Sequence, residues 1–346
     1  MKSKRDLLVT LADRNYIQQS KQLFSSVYWN AGWTGDYMLL SHEIPEEDLK
    51  WFRDKGILVK ECKPLDNKSI TYVYPPVVLD KFYLFTEEFK AWETIVFLDS
   101  DIIVKAPIDG LTKIKSLGAA QDLYFNKLHT QLYNPGKNCF NNKVYDLNIP
   151  AYNTGVFAFN TRIIKPETFD ELDHFFKDNV AEFKYLDQAT LNLVFYKQWE
   201  KLPKIYNIFY VYPHFWLPRI LKYPIIHFVK CPEHPLLWDI KNPFYAEWKK
   251  NLERAELMNL GEIQKVKKWG ACKINLFSFL FTVHLHIYLA PYRLKHIFFI
   301  YDIQSFFKFR IQYFFAEAIK TPNRLIGKLG ARIQKYSPNL YKKLRK

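Results

Sequence analysis

The stretch Phe97-Leu98-Asp99-Ser100-Asp101-Ile102-Ile103-Val104 is an apolar run that stops at two carboxylates one residue apart and then resumes as β-branched chain. It reads as a buried strand, Thr94 to Leu98, a turn carrying Asp99 and Asp101, and a further extended piece beginning at Ile102. In an open α/β sheet the C-terminal ends of the strands are where ligands bind. Two carboxylates so placed can hold one Mg²⁺ or Mn²⁺, and the ion can in turn hold a diphosphate. Taken alone, an Asp-x-Asp is more often a polar turn.

Upstream, short apolar runs alternate with helical stretches, the pattern of a parallel α/β sheet. Strands are expected over Asp6 to Leu11, Tyr37 to Leu40 and Ile57 to Val59, with helices over Tyr16 to Trp29, Pro45 to Lys55 and Val77 to Phe89. Downstream, a strand is expected through Gly155 to Phe159, a helix after Pro166, another near Asp187, and an extended run Tyr223 to Val229 containing His227. The chain has 346 residues, 49% hydrophobic and 25% charged, which excludes a disordered or fibrous chain. From Phe244 the pattern becomes helical and basic, so the expected division is 1–243, an α/β domain, and 244–346, a helical basic and aromatic region.

The formal charge is +15, and thirteen Lys or Arg after Tyr292 face only Asp302 and Glu317. A near-neutral body with such a tail points to a polyanionic surface, either anionic membrane or nucleic acid. The cysteines Cys62, Cys139, Cys231 and Cys272 form no Cys-x-x-Cys pair, so a reducing compartment is the default. Lys2, Lys4 and Arg5 precede an apolar run too short for a signal peptide. Ile274 to Tyr292 is interrupted by Asn275, Ser278, Thr282, His284 and His286 and reads as a poor transmembrane span.

Several other residues can carry chemistry, each with a plainer reading beside it. Lys81 precedes the Asp-x-Asp and is either an exposed helical lysine or a phosphate contact. Tyr152-Asn153-Thr154-Gly155 is a turn into a buried strand or a ligand-facing edge. Asp187, before Gln188, is a helix cap or a catalytic group. His227 is a core histidine or, with two carboxylates, the third ligand of an ion that accepts oxygen and imidazole.

In this order the motifs resemble glycosyltransferase family 8, which includes glycogenin and the bacterial lipopolysaccharide glucosyl- and galactosyltransferases. The resemblance spans roughly residues 6–238. It implies a GT-A fold, a Rossmann-like mixed α/β sheet flanked by helices. Thr10, Leu11, Ala12, Asp13 and Tyr16 look like the family's nucleotide-binding loop, and Lys81 matches a basic residue facing the donor. Asp99, Asp101 and His227 would bind Mn²⁺ or Mg²⁺, with Ser100 close to the ribose. Asn153 and Thr154 match the strand that reaches the donor sugar, and Asp187-Gln188 the family's Asp-Gln signature. After His227 the family's Gly and Lys are replaced, and either Lys230 or His234 would meet the departing phosphate.

The implied activity is retaining, metal-dependent transfer of a hexose, glucose or galactose favoured, from a UDP-sugar to a glycan or glycolipid such as lipopolysaccharide. Asp187 would orient the sugar and Gln188 stabilise the cationic transition state of a front-face reaction. Phe298, Phe299, Phe306, Phe307, Phe309, Phe314 and Phe315, interleaved with cations, suit peripheral attachment to anionic lipid at the cytoplasmic face of a membrane. The alternatives are glycogenin-like self-glycosylation on one of 23 tyrosines, a non-catalytic nucleotide-sugar-binding protein, and a nucleic-acid-binding protein. The last leaves the motifs unexplained.

Overall fold

The computed structural model describes residues 5–66, 75–124, 126–136, 139–140, 143–210, 216–229 and 235–297. The chain divides into two units, Met1–Thr282 and Val283–Lys346. In the first, β1 (Leu7–Ala12), α1 (Ile17–Ala31), β2 (Asp36–His42), α2 (Glu46–Asp54) and β3 (Leu58–Cys62) form two right-to-edge β–α–β steps. β4 (Thr94–Leu98), β5 (Ile102–Val104) and β6 (Leu117–Gln121) follow, then a small hairpin, β7 (Cys139–Phe140) with β8 (Lys143–Val144). β9 (Tyr152–Asn160), α3 (Thr168–Asn179), α4 (Leu186–Val194), β10 (Trp199–Lys201), β11 (Ile208–Phe209), α5 (Leu217–Ile220), β12 (Ile225–His227) and α6 (Tyr245–Ala255) complete the order in this unit, and α7 (Ala271–Ile297) begins in it and runs past Thr282.

The main sheet has the order β10-β6-β9-β4-β1-β2-β3. β1 pairs in parallel with β2 and β4, while β9 is antiparallel to both β4 and β6. It is a mixed sheet, as a GT-A fold requires. Every residue of β1 and β4 is buried, so these strands are apolar on both faces. Phe97 stacks on Phe157 and Phe85 on Phe159, with ring centroids 5.2 and 4.6 Å apart, which locks β4 and β9 under one aromatic layer. α1 stops at Gly32, whose φ of +63° is the left-handed cap that a glycine adopts without a Cβ penalty.

A second sheet, β11-β12-β5, carries the piece of chain that follows the two aspartates. β5 runs antiparallel to β12, with Ile102 opposite His227. Its free side is satisfied by α1, because Ser26 Oγ accepts from the Val104 N–H at 3.1 Å and Asn30 Nδ2 donates to the Val104 carbonyl at 2.9 Å.

Two expectations need correcting. Residues 77–89 are not an α-helix: they form 3-10 turns over Pro76–Phe85 and Glu87–Ala91, separated by Thr86 in extended conformation. Pro75-Pro76 and two successive valines disfavour the α-helical start, and the Thr86 hydroxyl takes up the Tyr83 carbonyl at 2.8 Å. The stretch Ile274 to Tyr292, read as a poor transmembrane span, lies within one continuous helix, α7. It is the one helix among the described residues long and apolar enough to cross a membrane, over Ala271–Ala290, and Leu276, Phe279, Val283 and Ile287 are exposed along it. Residues 298–346, with the remaining tail aromatics, lie outside the described residues, as do the side chains of residues 291–297.

His42, at the end of β2, holds the 3-10 turn through Asp80, whose fully buried Oδ2 lies 2.7 Å from His42 Nδ1. The hydrogen bond to Asp80 raises the His42 imidazole, and burial raises the Asp80 carboxyl. The raised imidazole of His42 contributes stability that is complete below the unfolded histidine value and is lost as pH climbs through the raised one, whereas the raised carboxyl of Asp80 acts in the lower, carboxylate range. The melting temperature is therefore expected to fall as pH rises above the ordinary histidine value of about 6.5. In His42→Gln it should start lower, by the about 1.5–3 kcal/mol of a charge-assisted bond, and vary less. Calorimetry across that range checks this.

Candidate active site

The site forms where the ends of β1, β4 and β9 meet the second sheet. The Asp99 N–H donates to the Gly155 carbonyl at 2.8 Å and the Phe228 N–H to the Asp101 carbonyl at 3.0 Å, so the aspartate turn is stitched to β9 on one side and to the end of β12 on the other. One ligand atom from each of Asp99, Asp101 and His227 lies within 4.8 Å of the others. His227 Nε2 stands 3.2 Å from Asp101 and 3.8 Å from Asp99.

The tautomer of His227 follows from a backbone group. The Gly155 N–H donates to Asn153 Oδ1 at 2.9 Å, which makes that atom the acceptor. Asn207 therefore meets it with its Nδ2, also at 2.9 Å, and turns its own Oδ1 to His227 Nδ1 at 2.9 Å. Nδ1 carries a proton, which leaves Nε2, beside the two carboxylates, as the atom that would face an ion. A second-shell acceptor behind a histidine is how a metal ligand is usually oriented.

A divalent cation fits this donor set: two oxygens and an imidazole nitrogen suit Mn²⁺ or Mg²⁺. Gly155 keeps the space open. A Cβ there would press on the His227 ring and come within 2.7 Å of the Asp99 carboxylate. Burial pushes the Asp99 carboxyl up and the neighbouring Asp101 adds to it, against the pull of Lys81 and His227. Such a site gains most from a positive charge placed among its ligands.

Lys81 is 3% exposed, which removes the surface-lysine reading. Its Nζ lies 3.1 Å from Asp99, 2.9 Å from Asp187 and 3.3 Å from the Thr154 carbonyl. Burial would push its ammonium down, but the two carboxylates overcome this and hold it above the ordinary lysine range. Asp187 lies in the first turn of α4, where a carboxylate also suits the helix dipole. It accepts from Thr154 Oγ1 at 2.7 Å. Gln188 Oε1 is taken by two donors, Asn153 Nδ2 at 2.9 Å and the Thr154 N–H at 3.2 Å.

Thr10, Leu11 and Ala12 are the buried end of β1, and Asp13 caps the turn after it through the Asn15 N–H at 2.8 Å. Tyr16 is partly exposed and meets Trp238 edge to face at 5.7 Å. Ser100 is buried between the two aspartates. Lys230 and His234 lie outside the described residues.

The structure adds two residues that sequence reasoning missed. Asn207 orients His227, as above. Asp122, just past β6, accepts from Asn126 Nδ2 at 2.9 Å and Asn153 Nδ2 at 3.4 Å, and Gln188 also bonds to it; burial nevertheless raises its carboxyl. Leu123 beside it has a φ of +36°, a conformation that a leucine adopts only under constraint. The signal that could have found Asp122 is the one used for Asp99, an apolar run ending in a carboxylate.

The family model for Glycosyl transferase family 8 matches residues 7–234. The chain belongs to this family. It is accordingly a glycosyltransferase. It is similar to Galactinol synthase 1 of Ajuga reptans, 24% identical over 242 residues, 66% of this chain and 68% of that protein. Galactinol synthase 7 of Arabidopsis thaliana is 22% identical over 243 residues, with the same shares. Among solved structures, the galactosyltransferase LgtC in complex with donor and acceptor sugar analogues has a TM-score of 0.53 at 17% identity, covering 76% of this chain and 98% of that one. The bifunctional glycosyltransferase WbbM has a TM-score of 0.56 at 18% identity, covering 73% of this chain and 50% of that one. The chain thus spans half the length of WbbM. At these identities the structural likeness establishes the fold.

Gly155→Ala is expected to weaken Mn²⁺ binding at least about tenfold, and to cost about 1–3 kcal/mol of stability through overpacking. Electron paramagnetic resonance titration of Mn²⁺ alongside a melting curve checks both.

Proposed function

We propose that this protein transfers a hexose, glucose or galactose, from a UDP-sugar to a glycan or glycolipid acceptor, with Asp99, Asp101 and His227 holding Mn²⁺ or Mg²⁺. The observation that carries the reading is the run of contacts from that triad through Lys81 to Asp187, which sets a candidate ion site and a sugar-facing carboxylate side by side. A bound cation would neutralise charge gathering on the departing diphosphate. Tyr16, beside Trp238, offers an aromatic face to the base. Asp187 orients the sugar by accepting from one of its hydroxyls.

Retention needs either a protein nucleophile or attack from the side the diphosphate leaves. The two hydrogen bonds to Asp187 Oδ2, one of them from the Lys81 ammonium, draw charge from the carboxylate and weaken it as a nucleophile, and the Gln188 carbonyl, which accepts from Asn153 and Thr154, belongs to a weakly nucleophilic amide. The front-face course is the better account: the bond from the anomeric carbon to the phosphate oxygen breaks, the acceptor oxygen bonds to the same face, and its proton passes to the departing phosphate. With its carbonyl committed, Gln188 acts as part of the sugar-facing wall, and the negative charge next to it belongs to Asp122.

A membrane glycolipid acceptor, met at the cytoplasmic face, is supported by the cation-rich sequence after Tyr292 and by the exposed apolar residues of α7.

The decisive assay is release of sugar from a panel of nucleotide sugars, with Mn²⁺ and with chelator. Metal-dependent turnover of one UDP-hexose with retained configuration is expected, falling at least about 100-fold in Asp187→Asn or Gln188→Ala. Full activity of both variants refutes their roles. No turnover with or without glycolipid acceptors favours the non-catalytic reading. Flotation with anionic vesicles is expected for the full chain and reduced for a chain ending before Tyr292; equal flotation removes the tail from the account.

A further inference from the structure

Both hydrogen bonds to the Asp187 carboxylate end on the same atom. Thr154 Oγ1 donates to Oδ2 at 2.7 Å and Lys81 Nζ at 2.9 Å. Among the described residues nothing donates to Oδ1. The two donors differ in constancy. Lys81 divides its ammonium between Asp187, Asp99 at 3.1 Å and the Thr154 carbonyl at 3.3 Å, so its hold on Asp187 depends on what occupies Asp99. The Thr154 hydroxyl serves one acceptor.

Thr154 is 3% exposed and sits in β9 with its N–H on Gln188 Oε1 at 3.2 Å. Its branched Cβ leaves few side-chain rotamers, so the hydroxyl has a fixed direction. A carboxylate, by contrast, turns readily about its last bond. Without the hydroxyl, Asp187 would be held by a shared lysine alone and could offer either oxygen.

We propose that Thr154 is a positioning residue whose hydroxyl fixes Asp187 so that Oδ1 alone faces a hydroxyl of the donor hexose. The inference rests on the reading that this pocket takes a UDP-hexose. A carboxylate with one oxygen saturated and the other directed accepts from a hydroxyl in one orientation, so the clamp also sets how well the site separates hexoses that differ at that hydroxyl. The plainer role for a buried strand threonine is to fill space and satisfy its own hydroxyl, and it predicts no effect on sugar discrimination.

The test compares full-length wild type with Thr154→Val, which keeps the shape and loses the hydroxyl, and Thr154→Ser, which keeps the hydroxyl. Hydrolysis of UDP-glucose and UDP-galactose, calorimetric affinity for UDP alone, Mn²⁺ binding and melting temperature are measured for each. Thr154→Val is expected to lose about 10- to 100-fold in kcat/KM for the preferred hexose, the scale of one hydrogen bond to a charged group. The ratio between the two hexoses should shrink, while UDP and Mn²⁺ affinities stay within about twofold. Thr154→Ser should recover to within about threefold of wild type. Should the valine variant unfold, Thr154→Ala takes its place against serine. Wild-type kinetics in the variant lacking the hydroxyl, or equal losses in valine and serine, overturn the inference while leaving sugar transfer intact. A wild type that hydrolyses neither sugar and binds UDP-hexose no differently from UDP overturns the functional reading, and this inference with it.

Discussion

One backbone hydrogen bond, from the Gly155 N–H to Asn153 Oδ1, sets the polarity of the whole site. An amide side chain can be turned either way, but a backbone N–H is only a donor. With Asn153 fixed, Asn207 is fixed, and with Asn207 the imidazole of His227. The other end of Asn153 donates to Gln188, so the same bond decides which way the Asp-Gln pair presents itself. Such a chain of bonds polarises along its length and is worth more than its parts. Gly155 supplies this N–H and, lacking a Cβ, also leaves room for the three ligand atoms that the network aims.

Charge is the second constraint. Asp99, Asp101, Asp122 and Asp187 lie along one network of hydrogen bonds and ion pairs, and the lysine that meets them is Lys81. It is buried against the Phe97 ring, 5.0 Å from the centroid, and its ammonium survives only because two carboxylates touch it. Lys81 balances the Asp99 and Asp187 side, while Asp101 is left to His227. The candidate ion triad is thus left with an excess of negative charge.

The sequence made the catalytic frame readable wherever function lies in a local pattern. The apolar strand ending at Asp99 and Asp101 shows a change of periodicity that needs no partner to be seen. Asp187 and His227 each have an ordinary local explanation, and only their order after the aspartates set them apart. Asp122 and Asn207 escaped because each acts through a residue far away in the chain, and neither has a spaced companion beside it. The 3-10 turns that carry Lys81 escaped because apolar spacing over ten residues does not distinguish them from an α-helix. The insertion of β9 between β4 and β6, antiparallel to both, is likewise a matter of pairing and not of pattern.

The ligand triad joins two stretches of chain that are remote in sequence, the turn after β4 and the end of β12, which also belong to different sheets. A cation seated there is therefore a cross-link as well as a reagent. An unfolded chain has no such seat, so by mass action the folded state deepens with the free ion concentration. With an ion bound at this candidate site, its removal would lower turnover and resistance to proteolysis together.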